Sequence, residues 1–275
     1  MKYLSLLFFP FVLCSFSEIS PTNIASTIRF GDSLFCNKNY TSALIEYQRA
    51  YFFSESQVKS QAGARMAECY LAMNNFASAR ACYDSAIFHS GSDLAKIDYE
   101  FGEISCYILE GNFGYALLRT NALEPGEDNH LNLRKHLYQG ICHYGMKQYD
   151  VAYAHFLDYL PEQDTAAINE LQNLFENRNS LCRPNPGLAM VLSIILPGAG
   201  QIYSGDIKDG VNSIALLTGL TYLGISGSAR VFVTLLPFVY RYYIGGILNA
   251  RQAAEYKQQE NTYSFYLKLR TILQK

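Results

Sequence analysis

The chain has 275 residues, 49 % of them hydrophobic and 17 % charged, with a formal net charge of −2. A composition this apolar excludes an intrinsically disordered protein, and the balanced charge provides no positive field for nucleic acid. The charges are unevenly spread, because the block from Pro184 to Ala250 contains only five of them: Asp206, Lys208, Asp209, Arg230 and Arg241. We therefore expect a polar first part followed by a membrane-like C-terminal part.

Residues 1–17 have the pattern of an export signal, removed by cleavage near Ser17. Lys2 precedes an apolar run from Tyr3 to Cys14, and Ser15-Phe16-Ser17 places small residues where a signal peptidase requires them. Two alternatives remain open. One is an uncleaved anchor, for which this apolar run is short, and the other is a lipoprotein signal with the lipid on Cys14.

Four segments then repeat one pattern about every 36 residues, namely an aromatic residue followed three positions later by Ala. The pairs are Tyr40 and Ala43, Phe76 and Ala79, Phe113 and Ala116, and Tyr149 and Ala152. The repeats run from Ile24 to Gln57, Ser60 to Asp93, Ile97 to His130 and Leu133 to Ala166. A period of this length is typical of stacked helical hairpins, which bury their apolar seams against their neighbours.

Other positions of the repeats agree in register. The first helices carry small residues where two helices would cross, except in repeat three: Gly31, Ala67, Ile104 and Gly140. The turns contain Asn37-Lys38-Asn39, Asn74-Asn75, Gly111-Asn112 and Lys147-Gln148, and the second helices carry Tyr47, Tyr83 and Phe156, with Thr120 in repeat three. A generic helical bundle with coincidental Ala and Tyr residues is the alternative interpretation.

These residues resemble the tetratricopeptide (TPR) helical hairpin, which implies an all-α solenoid that binds a protein or peptide. A further helix from Asp164 to Phe175 resembles the helix that closes a TPR array. We therefore predict a solenoid over residues 24–180, ended by a linker at 181–186.

The cysteines of the repeats argue against disulfides. Cys69, Cys106 and Cys142 occupy the same place in three successive repeats, where a small buried hydrophobic side chain is expected. Equivalent positions of stacked helices are about 8–10 Å apart, which is beyond the reach of a disulfide.

In TPR-like hairpins the first helix lines the concave groove, which implies a partner-binding site in this chain. The groove positions carry mostly apolar side chains, suited to an apolar or amphipathic segment of a partner. The alternative is that these side chains belong to the core. The residues are Asp32, Phe35, Leu71, Phe101, Ile108, Leu137, Ile141 and Tyr144.

Residues 187–250 contain three apolar segments, Gly187–Tyr203, Val211–Ser228 and Val231–Ala250, each near the length needed to span a bilayer. We predict three transmembrane helices, with a polar tail at 251–275 on the side opposite the repeats. If the first segment only dips into the bilayer, the tail lies on the side of the repeats.

The first segment contains Pro197, Gly198, Gly200, Gln201, Tyr203 and Gly205. This spacing resembles the Pro-Gly-x-Gly-Gln-x-Tyr-x-Gly signature of small bacterial membrane domains, which brings no settled activity. We expect a broken helix, closely packed glycines, and a Gln201 amide that satisfies backbone groups freed by the break. A small substrate or ion site at the break is the alternative.

Arg241 is a candidate functional residue of the same domain, because an ionisable group inside an apolar segment is costly. Its tyrosine neighbours resemble an interfacial belt, from which the side chain would snorkel.

No motif predicts an enzyme or a cofactor: the five histidines form no HExxH pair, and no GxSxG or P-loop is present. We predict a scaffold for protein–protein interactions, tethered to the bacterial inner membrane with its repeats exported, without cofactor or metal and without nucleic acid. A small transporter or envelope assembly factor with the repeats as sensor is the alternative.

Overall fold

The computed structural model describes residues 21–227 and 229–274, with the side chains of 24–227 and 233–274. This part of the chain is all-α, which confirms the all-α part of the predicted fold class. The helices are α1 (Pro21–Cys36), α2 (Tyr40–Phe53), α3 (Ser56–Ala72), α4 (Phe76–Phe88), α5 (Asp93–Leu109), α6 (Phe113–Asn121), α7 (Asn129–Gly145), α8 (Tyr149–Tyr159), α9 (Thr165–Glu176), α10 (Pro186–Ile195), α11 (Ala199–Tyr203), α12 (Ile207–Ser226) and α13 (Ala229–Leu273), with a 3-10 helix at Asn177–Cys182.

The predicted export signal at residues 1–17 lies outside the described residues. The chain divides into two compact units, Met1–Gln148 and Tyr149–Lys275. The division falls within the fourth repeat, between α7 and α8, and so ahead of the predicted linker at 181–186.

Unit 1 is a series of helical hairpins in which each helix from α1 to α7 packs against the next. The first three predicted repeats correspond to the pairs α1 and α2, α3 and α4, and α5 and α6. This arrangement is compatible with a TPR-like solenoid.

The turns between the paired helices have one geometry in all four repeats. The residue two positions before each aromatic has a positive φ: Lys38, Asn74, Gly111 and Lys147. The backbone N–H of the residue that follows donates to the carbonyl five residues earlier, for example from Asn39 to Leu34. This hydrogen bond is typical of the Schellman motif at the C-terminus of a helix. Asn39, Asn75 and Asn112 then cap α2, α4 and α6 by accepting a backbone N–H bond. The predicted turns are therefore confirmed.

The buried face of each of the three hairpins within unit 1 is built from the residues that define the repeat. Ala43, Ala79 and Ala116 have no solvent exposure. The ring of Tyr47 packs on Gly31, where an added Cβ would lie 2.7 Å from the ring. The Tyr47 hydroxyl donates to Asp32 at 2.7 Å. Burial is the larger cause that raises the pKa of Tyr47, and this hydrogen bond raises it further.

The third repeat shows an exchange of side-chain volume. Thr120 is buried where repeats one, two and four have an aromatic ring, and its hydroxyl donates to the Ala116 carbonyl at 2.7 Å. Ile104 is buried where the other repeats have Gly or Ala. A larger residue on α5 therefore accompanies a smaller residue on α6, which keeps the interior filled.

The cysteines of the repeats are structural. Cys69, Cys106 and Cys142 are buried and free, as expected for small hydrophobic side chains. Burial raises the pKa of Cys69 and Cys106 to about 12 and that of Cys142 to about 11. These thiols are therefore inert at neutral pH.

In unit 2 the expected helix at 164–175 is present as α9, capped by Asp164. Residues 251–273 of the predicted polar tail continue α13, which packs against α9 and the 3-10 helix. Phe265 stacks edge-on against Phe175 with ring centres 5.3 Å apart, and Asn261 donates to the carbonyls of Ser180 and Arg183. A tail on the far side of a bilayer is incompatible with these contacts.

The three predicted membrane spans are not supported. Of the helices in the described residues, none combines the length and apolarity that crossing a membrane requires. The first predicted span, Gly187–Tyr203, is interrupted at Leu196 and divided between α10 and α11. The second corresponds to most of α12, and the third is the first half of α13.

We predict that Lys38→Gly stabilises unit 1 by up to about 1 kcal/mol. A side chain in the left-handed region costs roughly 1–2 kcal/mol, and the greater freedom of glycine in the unfolded chain offsets part of this gain. The urea midpoint measures the change. Lys38→Ala is the matched control, since it removes the same side chain but keeps Cβ, and it should bring no gain. Equal urea midpoints for the unchanged chain, Lys38→Gly and Lys38→Ala would contradict backbone strain at Lys38.

Candidate functional site

The Pro-Gly motif forms a short helical hairpin in unit 2. Asn185 caps α10 by accepting the N–H groups of Gly187 and Leu188. After α10 ends, Gly198 has a φ of 89°, and α11 runs back toward the start of α10. The Tyr203 hydroxyl at the end of α11 accepts the N–H of Asn185 at 3.1 Å. The side chain at the end of α11 therefore contacts the start of α10, and the two helices form a hairpin.

Two glycines allow this hairpin to close. A Cβ on Gly200 would collide with the carbonyl oxygen of Ala189, and a Cβ on Gly198 would collide with the carbonyl oxygen of Gly210 on α12. Backbone therefore packs directly on backbone between α11 and both of its neighbours. This agrees with the close approach expected from the sequence.

Serine side chains satisfy the backbone at the break. Ser193 accepts the N–H of Gly200 at 3.1 Å. Ser204 donates to the carbonyl of Gly200 at 2.7 Å and lies 3.3 Å from the carbonyl of Ala250 on α13. The expectation that the Gln201 amide fills this role is therefore wrong, and Ser193 was not identified from the sequence.

Gln201 instead connects α11 to α12. Its side chain is 1 % exposed, and its Nε2 donates to the hydroxyl of Ser213 at 3.1 Å. Its Oε1 is buried and has no hydrogen-bond partner among the described residues. Leaving such an acceptor unpaired costs about 1–3 kcal/mol. Buried polar groups without a partner are rare in folded proteins.

Gln201 lines an open cleft of about 850 Å³ between the loop before α12 and the middle of α13. The lining is polar and contains four carboxylates. The residues are Gln201, Ser204, Gly205, Asp206, Asp209, Asn249, Gln252, Ala253, Glu255, Tyr256, Lys257, Gln259 and Glu260.

The carboxylates of the cleft differ in their pairing. Glu255 binds Arg251 at 2.7 Å, and Glu260 binds Lys257 at 2.8 Å. Asp206 caps α12 by accepting the N–H of Asp209 at 3.3 Å. The first turn of α12 therefore brings two carboxylates to the cleft, and no cation is seen paired with them in the described part of the chain.

The far end of the α12–α13 hairpin is apolar and open. Ile225 is 80 % exposed, Tyr222 70 % and Val233 68 %. Further along α13, Tyr240, Arg241 and Tyr242 are exposed, whereas the hydroxyl of Tyr243 donates to the Ile194 carbonyl at 2.6 Å. Arg241 thus faces outward rather than into the helix bundle.

The predicted partner groove is partly occupied by the fold itself. Phe101 is fully buried and stacks on Tyr138, so its assignment to an open groove is wrong. Asp32 binds Tyr47 and lies 3.5 Å from Arg65. Phe35, Leu71 and Ile108 are half-buried and pack against the cores.

Three predicted groove residues lie on one face of α7. Leu137, Ile141 and Tyr144 are spaced by four and three positions, and each is half-buried. Phe35, Leu71 and Ile108 are also half-buried, so what distinguishes the three residues of α7 is that they share one helix face.

No family model matches the chain, and neither the curated proteins nor the solved structures contain a match. The functional argument therefore depends on the geometry of the two units.

We predict that Gly200→Ala destabilises unit 2 by about 1–3 kcal/mol, because the methyl group overpacks the contact with Ala189. Gly219→Ala on α12 is the control, since nothing lies within 4 Å of its added Cβ. It should stabilise the helix by roughly 0.5–1 kcal/mol. Thermal unfolding measures both changes, and a neutral Gly200→Ala would contradict the close contact.

Proposed function

We propose that the protein is a membrane-attached scaffold for protein–protein interactions. In this proposal unit 2 inserts the apolar end of its α12–α13 hairpin into a bilayer, and unit 1 presents a helical-repeat surface to a protein partner. The observation that carries the proposal is the exposure of large apolar side chains around the α12–α13 turn.

We name this region the apolar tip and define it as residues 211–226 and 233–240. Between Asp209 and Arg241 the sequence has only one charged residue, Arg230. Soluble monomers rarely expose apolar surfaces larger than a few hundred Å², and larger ones mark contacts with membranes or proteins. A bilayer is the favoured occupant because apolar side chains of both helices are exposed with almost no charge among them.

The length of the apolar tip favours a dip into the bilayer over a span. From Ala229 to Tyr240 the chain rises about 17 Å as a helix, whereas the hydrocarbon core of a bilayer is about 30 Å thick. This depth agrees with the absence of a spanning helix in the described residues. It also places Arg241, between Tyr240 and Tyr242, at the headgroup level, where Arg and Tyr are stable.

We predict that Ile225 lies deep in the bilayer. The full chain carries Ile225→Cys, with Cys14, Cys36 and Cys182 replaced by Ser, and an environment-sensitive dye is attached to the new thiol. On vesicles with nitroxide-labelled lipids, quenching should be strongest for nitroxides deep in the acyl chains.

Phe88→Cys is the matched control, since Phe88 is an exposed apolar residue of unit 1, and it should show no quenching. Absence of quenching at Ile225 would contradict membrane insertion. Strongest quenching by nitroxides near the headgroups would contradict the proposed depth.

The partner surface proposed for unit 1 is the face of α7 that carries Leu137, Ile141 and Tyr144. Side chains spaced in this way form a stripe that fits an amphipathic helix of a partner. The stripe is half-buried, so a partner would complete its burial.

We predict that a photo-crosslinking amino acid at Leu137 gives one discrete protein adduct in native membranes. Ile141→Asp in the same protein should abolish the adduct, because it places a charge in the apolar contact. The crosslinker at Phe88 is the control and should give no adduct. An adduct at Phe88 alone would move the partner surface away from α7.

A further inference from the structure

We propose that a basic cavity in unit 2 binds a small organic molecule through its phosphate group. The cavity has a volume of about 960 Å³ and lies where the segment between the 3-10 helix and α10 packs on α13. We name it the Arg183 cavity, after the arginine in its lining. The inference depends neither on membrane attachment nor on a partner of unit 1, because all the lining residues belong to unit 2.

The first argument is the charge of the lining. Among the described residues that form the cavity, Arg183 and Lys257 are cationic and none is a carboxylate. Lys257 has an ion pair with Glu260 at 2.8 Å, whereas Arg183 has no carboxylate partner in the described part of the chain. Asp206 follows the lining residue Gly205, but its carboxylate accepts an N–H group of the first turn of α12. The cavity therefore presents an unpaired positive charge to an anion.

The second argument is that the backbone of Arg183 is fixed on α13. Asn261 donates to the carbonyl of Arg183 at 2.9 Å, and Gln258 donates to the carbonyl of Cys182 at 2.9 Å. Lys257 lies four residues, about one helical turn, before Asn261 and therefore on the same face of α13. The two basic side chains thus start from neighbouring positions and line one cavity. A backbone that is already ordered loses little entropy when a ligand binds.

The third argument is that two neutral side chains of the lining have uncommitted hydrogen-bond donors. The Oδ1 of Asn185 accepts the backbone N–H groups of Gly187 and Leu188. Because backbone N–H groups can only donate, these bonds identify Oδ1 and leave the Nδ2 hydrogens of Asn185 without an acceptor among the described residues. The hydroxyl of Tyr203 accepts the N–H of Asn185 at 3.1 Å, so its own hydrogen is directed elsewhere.

A phosphate group fits these donors better than a carboxylate. Its three terminal oxygens and its charge of about −2 can engage a guanidinium group, an ammonium group and further donors together. The start of α10, which Asn185 caps, adds the positive end of a helix dipole. The volume of the cavity leaves room for an organic group beside the phosphate.

Two sources supply a phosphate monoester on a small organic group. One is a free ester, for which glycerol 3-phosphate is the probe, and the other is the headgroup of phosphatidic acid. Both present the same oxygens to Arg183 and Lys257. They differ in whether the ligand is part of a bilayer.

The test measures binding of glycerol 3-phosphate to the purified full chain by calorimetry, with glycerol as the matched ligand that lacks the phosphate. Vesicle binding compares phosphatidylcholine with and without phosphatidic acid. Saturable binding of glycerol 3-phosphate assigns a free ester. A preference for phosphatidic acid without binding of the free ester assigns the headgroup. Absence of both would overturn the proposal.

Cys182 reports whether the ligand occupies the cavity. Its side chain is exposed and lies in the lining, so a saturating ligand should slow its alkylation at least about threefold by blocking access to the thiol. Cys36 is an exposed cysteine of unit 1 and the internal control, and its rate should not change. Mass spectrometry measures both rates. Binding that leaves the Cys182 rate unchanged would place the ligand elsewhere and overturn the proposal.

Two changes of charge with opposite effects connect the binding to the basic side chains. Arg183→Gln removes the unpaired guanidinium group and should weaken binding about tenfold, the effect of one charge-assisted hydrogen bond. Glu260→Gln releases Lys257 from its ion pair and should tighten binding about threefold. Misfolding does not tighten binding, so the second variant keeps the test valid if the first is unstable.

Arg29→Gln in unit 1 is the matched control. Arg29 is exposed and has no carboxylate partner in the part of the chain that the structure describes, so the affinity should stay unchanged. The same three variants apply to the vesicle measurement. Equal affinity in Arg183→Gln, Glu260→Gln and Arg29→Gln would overturn the proposal.

Discussion

The contact between the backbones of α10 and α11 is the constraint on which the Pro-Gly hairpin of unit 2 depends. Gly200 lies against the carbonyl of Ala189, and Gly198 against that of Gly210. Because glycine leaves no side chain in either contact, α11 packs closely on both α10 and α12. This contact places Gln201 beside Ser213 and brings Ser204 to the carbonyl of Ala250. Two close backbone approaches therefore set the positions of α10, α11 and α12.

Unit 1 depends on a different local constraint, repeated along the chain. Each first helix ends in a left-handed residue, and in three of the four repeats an Asn then caps the second helix. The turn fixes where the next helix starts, which in turn places its first Ala in the buried interface. Lys38 and Lys147 adopt the same conformation as Gly111, so the demands of helix packing override the preference of the residue.

The repeats were predictable because their signal is periodic. An Ala three residues after an aromatic marks the buried face, even though repeat three departs from the pattern at other positions. The turn residues mark the helix ends. The solvent exposure of the groove residues was less predictable. The position of a residue on its own helix does not show how much of its side chain a neighbouring helix covers. Phe101 is the example, since Tyr138 stacks on its ring.

The membrane part failed as a prediction of spans for a physical reason. Hydropathy counts apolar residues along the chain, whereas Pro197 and Gly198 decide where the chain reverses. The break itself was expected from Pro197 and its glycines, although Pro237 lies inside α13 without ending it. The buried Ser193 and the partly buried Ser213 were missed because isolated serines in an apolar run carry no periodic signal.

The two ends of the α12–α13 hairpin have opposite chemistry, and this contrast connects the structure to a function. At the start of α12, Asp206 and Asp209 face the cleft, whereas Ile225 near its end is 80 % exposed and apolar. The 20 residues of α12 separate these ends by about 30 Å. The acidic end and the apolar end are therefore too far apart for one small molecule to contact both.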